Sequence, residues 1–305
     1  MSAPNITIAG AGIIGLSLAL ELEQRGTAVT VFDSGPALAE ASTAAAGMLA
    51  AHDPENPPQL QPLANLSLQL YPAFLARIAE ISGTTVPFET TCTIQYTRAR
   101  QLHLAENSLN PRTLATALLA AIRNTTIKLH EHTPAPKPTG IFIDSTGAWA
   151  ISGLPVRPIK GQLLSVELPP TLTLPCVIRT PGIYIVPRLN RTAIIGSTHE
   201  DAGFDKSTNA KAIATLHQKA AAIVPQLAEA RILSQWAGLR PATPDQLPLI
   251  GPHPTLPSHY LATGHFRNGI LLAPATACVL ADLILNPRSA IDLTPFAPAR
   301  FSPHQ

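Results

Sequence analysis

Apolar positions along the N-terminal third follow two rhythms. Residues 5–9 form a short β-rich run that stops at Gly10, and residues 13–25 then carry apolar side chains at helical spacing until Gly26. Residues 28–32 are a second β-rich run, so the three together predict a βαβ unit. Leu66, Leu70, Phe74 and Ile78 recur every four residues, which predicts one long helix over 62–82 despite Pro72. Asn110-Pro111 reads as a helix start, with asparagine capping and proline in the first turn, leading into Leu114, Leu118 and Ile122. Strands are predicted at 93–96, 127–130, 141–143, 162–167, 184–187 and 193–196, and helices at 209–224 and 269–286. This alternation points to an α/β protein with a partly antiparallel insert.

Composition narrows the picture. The 305 residues are 46% hydrophobic, enough for one large or two cooperating domains. Only 13% are charged and the net charge is +2, so no basic surface for nucleic acid is implied. No Lys or Arg precedes the first apolar run and glycines punctuate it, so it reads as mature chain and not as a signal peptide. The apolar stretch 270–285 contains Pro274 and Asp282 and falls short of the roughly 20 residues a bilayer needs, which makes it a buried helix. The 31 prolines cluster at 54–62, 134–138, 169–181 and 241–257, the expected loops. Cys92, Cys176 and Cys278 are widely spaced, with no CxxC and no histidine cluster at metal-ligand spacing. They are expected to be reduced, mostly buried thiols in a cytoplasmic protein without a metal.

The chemistry starts at Gly10-Ala11-Gly12-Ile13-Ile14-Gly15, which follows the first strand and opens the first helix. In a dinucleotide fold the first glycine makes the turn, the second admits the pyrophosphate, and the third packs helix on strand, with the phosphates on the helix N-terminus. Asp33, at the end of the second strand, stands where an acid takes ribose hydroxyls. These features leave FAD and a nicotinamide cofactor both open. The small-residue run Ser42-Thr43-Ala44-Ala45-Ala46-Gly47-Met48 either lets backbone amides lie against a flat ligand or simply begins an Ala-rich helix. Farther on, 264–276 is a loop turning into an apolar helix, whose N-terminus suits an anionic reduced flavin.

Four segments resemble the glycine oxidase branch of the D-amino-acid oxidase family: the glycine turn, AAAGMLA at 44–50, WAGLRPATPD at 236–245 and GHFRNGILLAPATA at 264–277. Tyr184-Ile185-Val186-Pro187-Arg188, Ile194-Ile195-Gly196-Ser197-Thr198 and Lys160-Gly161-Gln162 are weaker matches. The resemblance implies a Rossmann-like FAD-binding domain assembled from 1–82, 104–158 and 240–305. It also implies an α+β substrate domain with a mixed, largely antiparallel sheet from 83–103 and 159–239. By the same resemblance Arg240 would fork the substrate carboxylate, Tyr184 would add a hydrogen bond to it, and Arg267 would lie beside the substrate, mainly through its backbone carbonyl. FAD contacts would come from Gly10, Gly12, Ile13, Ile14, Gly15, Asp33, Ser34, Ser42, Ala46, Gly47, Met48 and Gly147. The run His265, Phe266, Arg267, Asn268, Gly269, Ile270 and Leu271 would wrap the flavin.

The implied reaction is oxidation of glycine or a similar small amino acid or amine carboxylate by hydride transfer to FAD. No protein acid or base is required, and molecular oxygen is the expected acceptor. A dehydrogenase passing electrons to a quinone and a catalytically impaired flavin-binding homologue stay open, as does self-association. The chain is shorter than its relatives between Tyr96 and Asn110 and between His132 and Thr146. His199 stands where the family's glycine oxidase has methionine and Gly182 where it has histidine, so substrate preference is expected to differ.

Overall fold

The computed structural model describes residues 6–97, 99–150, 153–286 and 290–301; Asn5, where the first predicted strand begins, lies outside them. Two large sheets dominate. In spatial order the first holds Leu249–Pro252 (β14), His259–Thr263 (β15), Ile141–Asp144 (β8), Ile6–Ala9 (β1), Val29–Phe32 (β2) and Lys128–His130 (β7). It is parallel except for the edge strand β14. Ile13–Gln24 (α1), Gln61–Ser82 (α3), Pro111–Arg123 (α4) and Gly269–Leu285 (α6) join the strands in one continuous apolar core. The stretch predicted to be a buried helix is α6, with Leu272, Ala273, Val279 and Leu280 fully buried. Among the described residues no helix is long and apolar enough to cross a membrane.

The second sheet holds Ile232–Ala242 (β13), Arg157–Glu167 (β9), Thr192–Gly196 (β12), Ile183–Pro187 (β11), Val177–Thr180 (β10), Thr93–Tyr96 (β4) and Gln101–Leu104 (β5). Only β4 and β10 pair in parallel. Side chains alternate along a strand, so Leu164 and Val166 of β9 pack with Ala210–Ile223 (α5) while Leu163 faces the other way, with Ala46 and Val186. A short helix, Ala41–Ala44 (α2), takes in the start of the small-residue run, and Phe88–Thr90 (β3) pairs with Ser108–Leu109 (β6).

Local signals explain the agreement. Asn110 caps α4 by accepting the Arg112 amide at 3.0 Å, with Pro111 in the first turn. Other expectations need correction. Pro241, at the head of an expected loop, lies inside the eleven-residue β13 and is tolerated there because β13 is an edge strand. The proline cluster at 241–257 also contains β14, and that at 169–181 ends in β10. The segment after Tyr96, short as it is, still turns the β4–β5 hairpin.

The cysteine reading is also overturned. Cys92 and Cys176 form a disulfide across 84 residues, and Cys278 is the free cysteine among the described residues. The cause is register: Thr93 lies opposite Val177 in the parallel β4–β10 pair, which brings the preceding residues to 4.8 Å between Cα atoms.

Candidate active site

One cavity of about 820 Å³ runs from the carboxyl end of β1 to the face of the second sheet turned away from α5. Crevices at the carboxyl ends of parallel strands are where α/β folds take ligands. At one end lies the glycine turn. Gly10 has φ +100°, and a side chain there would drive into the backbone of Ser145. The Ser145 hydroxyl donates within reach of both the Ala9 and Gly10 carbonyls, at 2.8 and 2.9 Å. Gly12 caps α1 without a side-chain hydrogen bond, leaving the helix start facing the cavity. Asp33 accepts the Ala11 amide at 2.7 Å and the Gly35 amide at 2.8 Å, and Ser42 accepts the Ile13 amide at 2.9 Å. Ile14 and Ser34 also line this end. Gly15 does not: its missing Cβ makes room for the Gly10 carbonyl, so it serves helix–strand packing.

In the middle, Ala46, Gly47 and Met48 line the wall. Arg188 holds them there, donating to the Ala46 carbonyl at 2.6 Å and to Leu109 at 3.2 Å while pairing with Glu89 at 3.3 Å. Burial pushes the Arg188 guanidinium down and the Glu89 carboxyl up. Trp236 Nε1 donates to the Ala44 carbonyl at 3.0 Å, so two clamps fix the small-residue run on the second sheet. Sequence reasoning held Arg188 only as part of a weak match. Its bonding role depends on two carbonyls distant in sequence.

The opposite wall is the turn before α6. The Phe266 amide donates to Pro241 at 2.8 Å, with Phe266 at φ +49°. His265 is buried, its Nε2 3.0 Å from Thr276 Oγ1, and burial pulls its pKa down to about 3. It is a neutral structural histidine at physiological pH. Thr263 Oγ1 donates to the Gly147 carbonyl at 3.0 Å, and Asn268 stands at the N-cap of α6 without a side-chain capping bond, its Nδ2 donating instead to Asn56 Oδ1 at 3.0 Å. Gly147 and His265 through Ile270 line the cavity, whereas Leu271 points into the core and leaves the expected set.

Arg240, Tyr184, Gly182, Ser197, Thr198 and His199 gather on the second sheet. Arg240 donates to Ser197 Oγ at 2.5 Å and to the Thr198 carbonyl at 3.3 Å, and Tyr184 interacts with its charge. Among the described residues no carboxylate forms a salt bridge with Arg240, and burial pushes its pKa down. Arg267 differs. Its guanidinium pairs with Asp53 at 2.8 Å and with Glu55. Asp53 lies 3.9 Å from Arg179, which pairs with the buried Glu106 at 3.1 Å and also donates to Gln95. None of these acids, nor Arg179, carries a sequence signal. His199 packs edge-on to Phe266 with centroids 5.8 Å apart. Burial, then Arg240 and Arg267, lower its pKa, so its imidazole is neutral near pH 7.

These residues fit FAD. Two helix starts whose own N-cap residues make no side-chain capping bond open on one groove, the Asp33 carboxylate stands at one end, and a broad wall of small residues lies between them. Among known proteins, the chain is 32% identical over 361 positions to the glycine oxidase of Pseudomonas aeruginosa, covering 96% of this chain and 98% of that one. The alignment is longer than the 305-residue chain, as the shortened segments require. The bifunctional protein ThiO/ThiG of Trichormus variabilis is 34% identical over 97% of this chain, which spans only 55% of that relative's length. The crystal structure of glycine oxidase from Geobacillus kaustophilus superposes with a TM-score of 0.90 at 27% identity, covering both chains fully. The family model for FAD dependent oxidoreductases, DAO, matches residues 5–109 and 102–283. The chain therefore belongs to the DAO family of FAD-dependent oxidoreductases.

Proposed function

We propose that this enzyme oxidises glycine or a similarly small amino acid or amine carboxylate. The net reaction is substrate, oxygen and water giving an oxo acid, ammonia and hydrogen peroxide. The observation that carries this reading is Arg240, a part-buried guanidinium lining the cavity that forms no salt bridge with a carboxylate among the described residues, Glu200 acting on it without an ion pair. A charge so placed calls for an anionic ligand, and a guanidinium fork matches a carboxylate. Bound FAD supplies the two-electron acceptor for a hydride leaving the substrate α-carbon.

The protein's own part is placement. Arg240 and Tyr184 hold the carboxylate, the ion-paired Arg267 side chain leaves its backbone to the cavity, and neutral His199 adds no charge beside the amine. No side chain is needed as acid or base, so rate comes from orientation. In this reading the segments 1–82, 104–158 and 240–305 hold FAD, and 83–103 with 159–239 hold the substrate.

The test is the absorbance spectrum of the purified protein before and after anaerobic glycine, followed by peroxide assays with glycine, sarcosine and D-alanine. Bleaching of the flavin bands and peroxide release are expected. A flavin that no small amino acid reduces would sink the proposal, and dye reduction without peroxide would replace oxygen with another acceptor.

A further inference from the structure

Two glycines sit inside strands of the second sheet, where glycine weakens a ladder and marks a close approach. Gly161 is in β9 and Gly196 ends β12. A Cβ built on Gly161 would meet Arg240 Nη2, Cζ and Nη1, all well under the 3.0 Å that real Cβ atoms keep. A Cβ on Gly196 would meet the Tyr184 hydroxyl at 2.6 Å, Cζ at 2.8 Å and Cε2 at 2.9 Å. Register explains both contacts. Gly196 lies directly opposite Tyr184, and Gly161 lies two residues along β9 from Ile159, the partner of Arg240, and so on the same face.

We infer that Gly161 and Gly196 are positioning residues, a side-chain-free floor on which the Arg240 guanidinium and the Tyr184 ring lie flat, and that this floor sets the height of the carboxylate site. The three atoms nearest each new Cβ belong to the functional end of one of these two side chains. At Gly161 that end is the tip of a flexible arginine, which can lift away without moving the backbone. A methyl there would displace the recognition group and leave the sheet intact. Both glycines therefore act through Arg240 and Tyr184.

The inference rests on the carboxylate reading of Arg240, and the experiment separates the two. Gly161→Ala, Gly196→Ala, Arg240→Lys and the double variant Gly161→Ala/Arg240→Lys are purified as holoenzymes, and KM and kcat for glycine are measured with acetate as a non-oxidisable competitor. Gly161→Ala is expected to keep its flavin spectrum and raise KM and the acetate inhibition constant about tenfold or more, with a smaller change in kcat. Gly196→Ala should shift both in the same direction. Because glycine and arginine act on one guanidinium, the double variant should bind no worse than Arg240→Lys alone.

Unchanged KM in both alanine variants, with Arg240→Lys impaired, would overturn the inference and leave the reading of Arg240 standing. Additive losses in the double variant, or loss of flavin from both alanine variants, would also overturn it, by assigning the glycines to the sheet itself. Unchanged KM in Arg240→Lys would instead defeat the underlying carboxylate reading.

Discussion

The Arg267 guanidinium donates to the Asp53 carboxylate at 2.8 Å, and Glu55 takes its other arm. Arg240 is held by the Ser197 hydroxyl, the Thr198 carbonyl and Tyr184, and forms no salt bridge with a carboxylate among the described residues. Two arginines of one cavity are thus in different electrostatic states, one neutralised by the protein and one awaiting a ligand. Replacing Arg240 with Lys should remove a charge-assisted fork worth about 1.5–3 kcal/mol, raising KM by one to two orders of magnitude. Arg267→Met should change KM only a fewfold and instead lower the melting temperature, because it leaves Glu55 without its cation and Asp53 with Arg179 alone, at 3.9 Å. Steady-state peroxide assays and thermal melts on both variants decide this; equal KM effects would contradict the division of roles.

Asp33 spends one oxygen on the Ala11 amide and the other on the Gly35 amide. A carboxylate still has lone pairs to accept ribose hydroxyls, so we propose that the side chain that shapes the glycine turn also meets the cofactor. Asp33→Ala should weaken FAD binding by about 1.5–3 kcal/mol, ten- to a hundredfold in dissociation constant. Fluorescence titration of the apoprotein with FAD measures it, and wild-type affinity would remove Asp33 from the site.

Much of this was legible in the chain, for identifiable reasons. β1, α1 and β2 carry their own periodicity, and Asn110-Pro111 states its cap outright. Recognition of the flavin segments depended on local runs such as 264–277, which fold as continuous stretches. What stayed hidden depends on pairing between distant strands. Arg240 reads locally as part of a turn because Gly and Pro flank it, but β9 supplies a long partner that holds it extended. Gly161 and Gly196 look unremarkable until register places Arg240 and Tyr184 above them. Arg179, Glu106 and Asp53 come from three separate segments and share no motif.

The disulfide is the sharpest example, and it is directly measurable. Closing 84 residues stabilises the fold by about 4.5 kcal/mol in the chain-entropy account. Alkylation of the denatured, unreduced protein should label Cys278 alone, and labelling after reduction should reach all three cysteines. Cys92→Ser should melt several degrees below wild type in oxidising buffer and match it in reductant. Three labelled cysteines in protein purified without reductant would show that the bridge does not form there.

His265 ties stability to pH. Its folded pKa is about 3 because burial penalises the imidazolium, against an ordinary value of 6.5. Below pH 6.5 the unfolded chain takes up a proton that the native protein refuses, so protons favour unfolding. The stabilisation associated with neutral His265 is complete above pH 6.5, declines as pH falls, and stops declining near pH 3. At roughly 1.4 kcal/mol per unit, the loss between pH 6.5 and pH 4.5 is on the order of 3 kcal/mol. His199 shifts in the same direction and adds to the loss, as do titrating carboxylates, so the wild-type curve alone cannot isolate one residue. The comparison that does is urea unfolding of wild type and His265→Gln at both pH values. Glutamine does not titrate, and its amide can replace the bond to Thr276. The variant should be the less stable protein at pH 7 through imperfect packing, and the gap should close or reverse at pH 4.5. A gap that stays constant between the two would mean that His265 carries its proton equally well folded and unfolded.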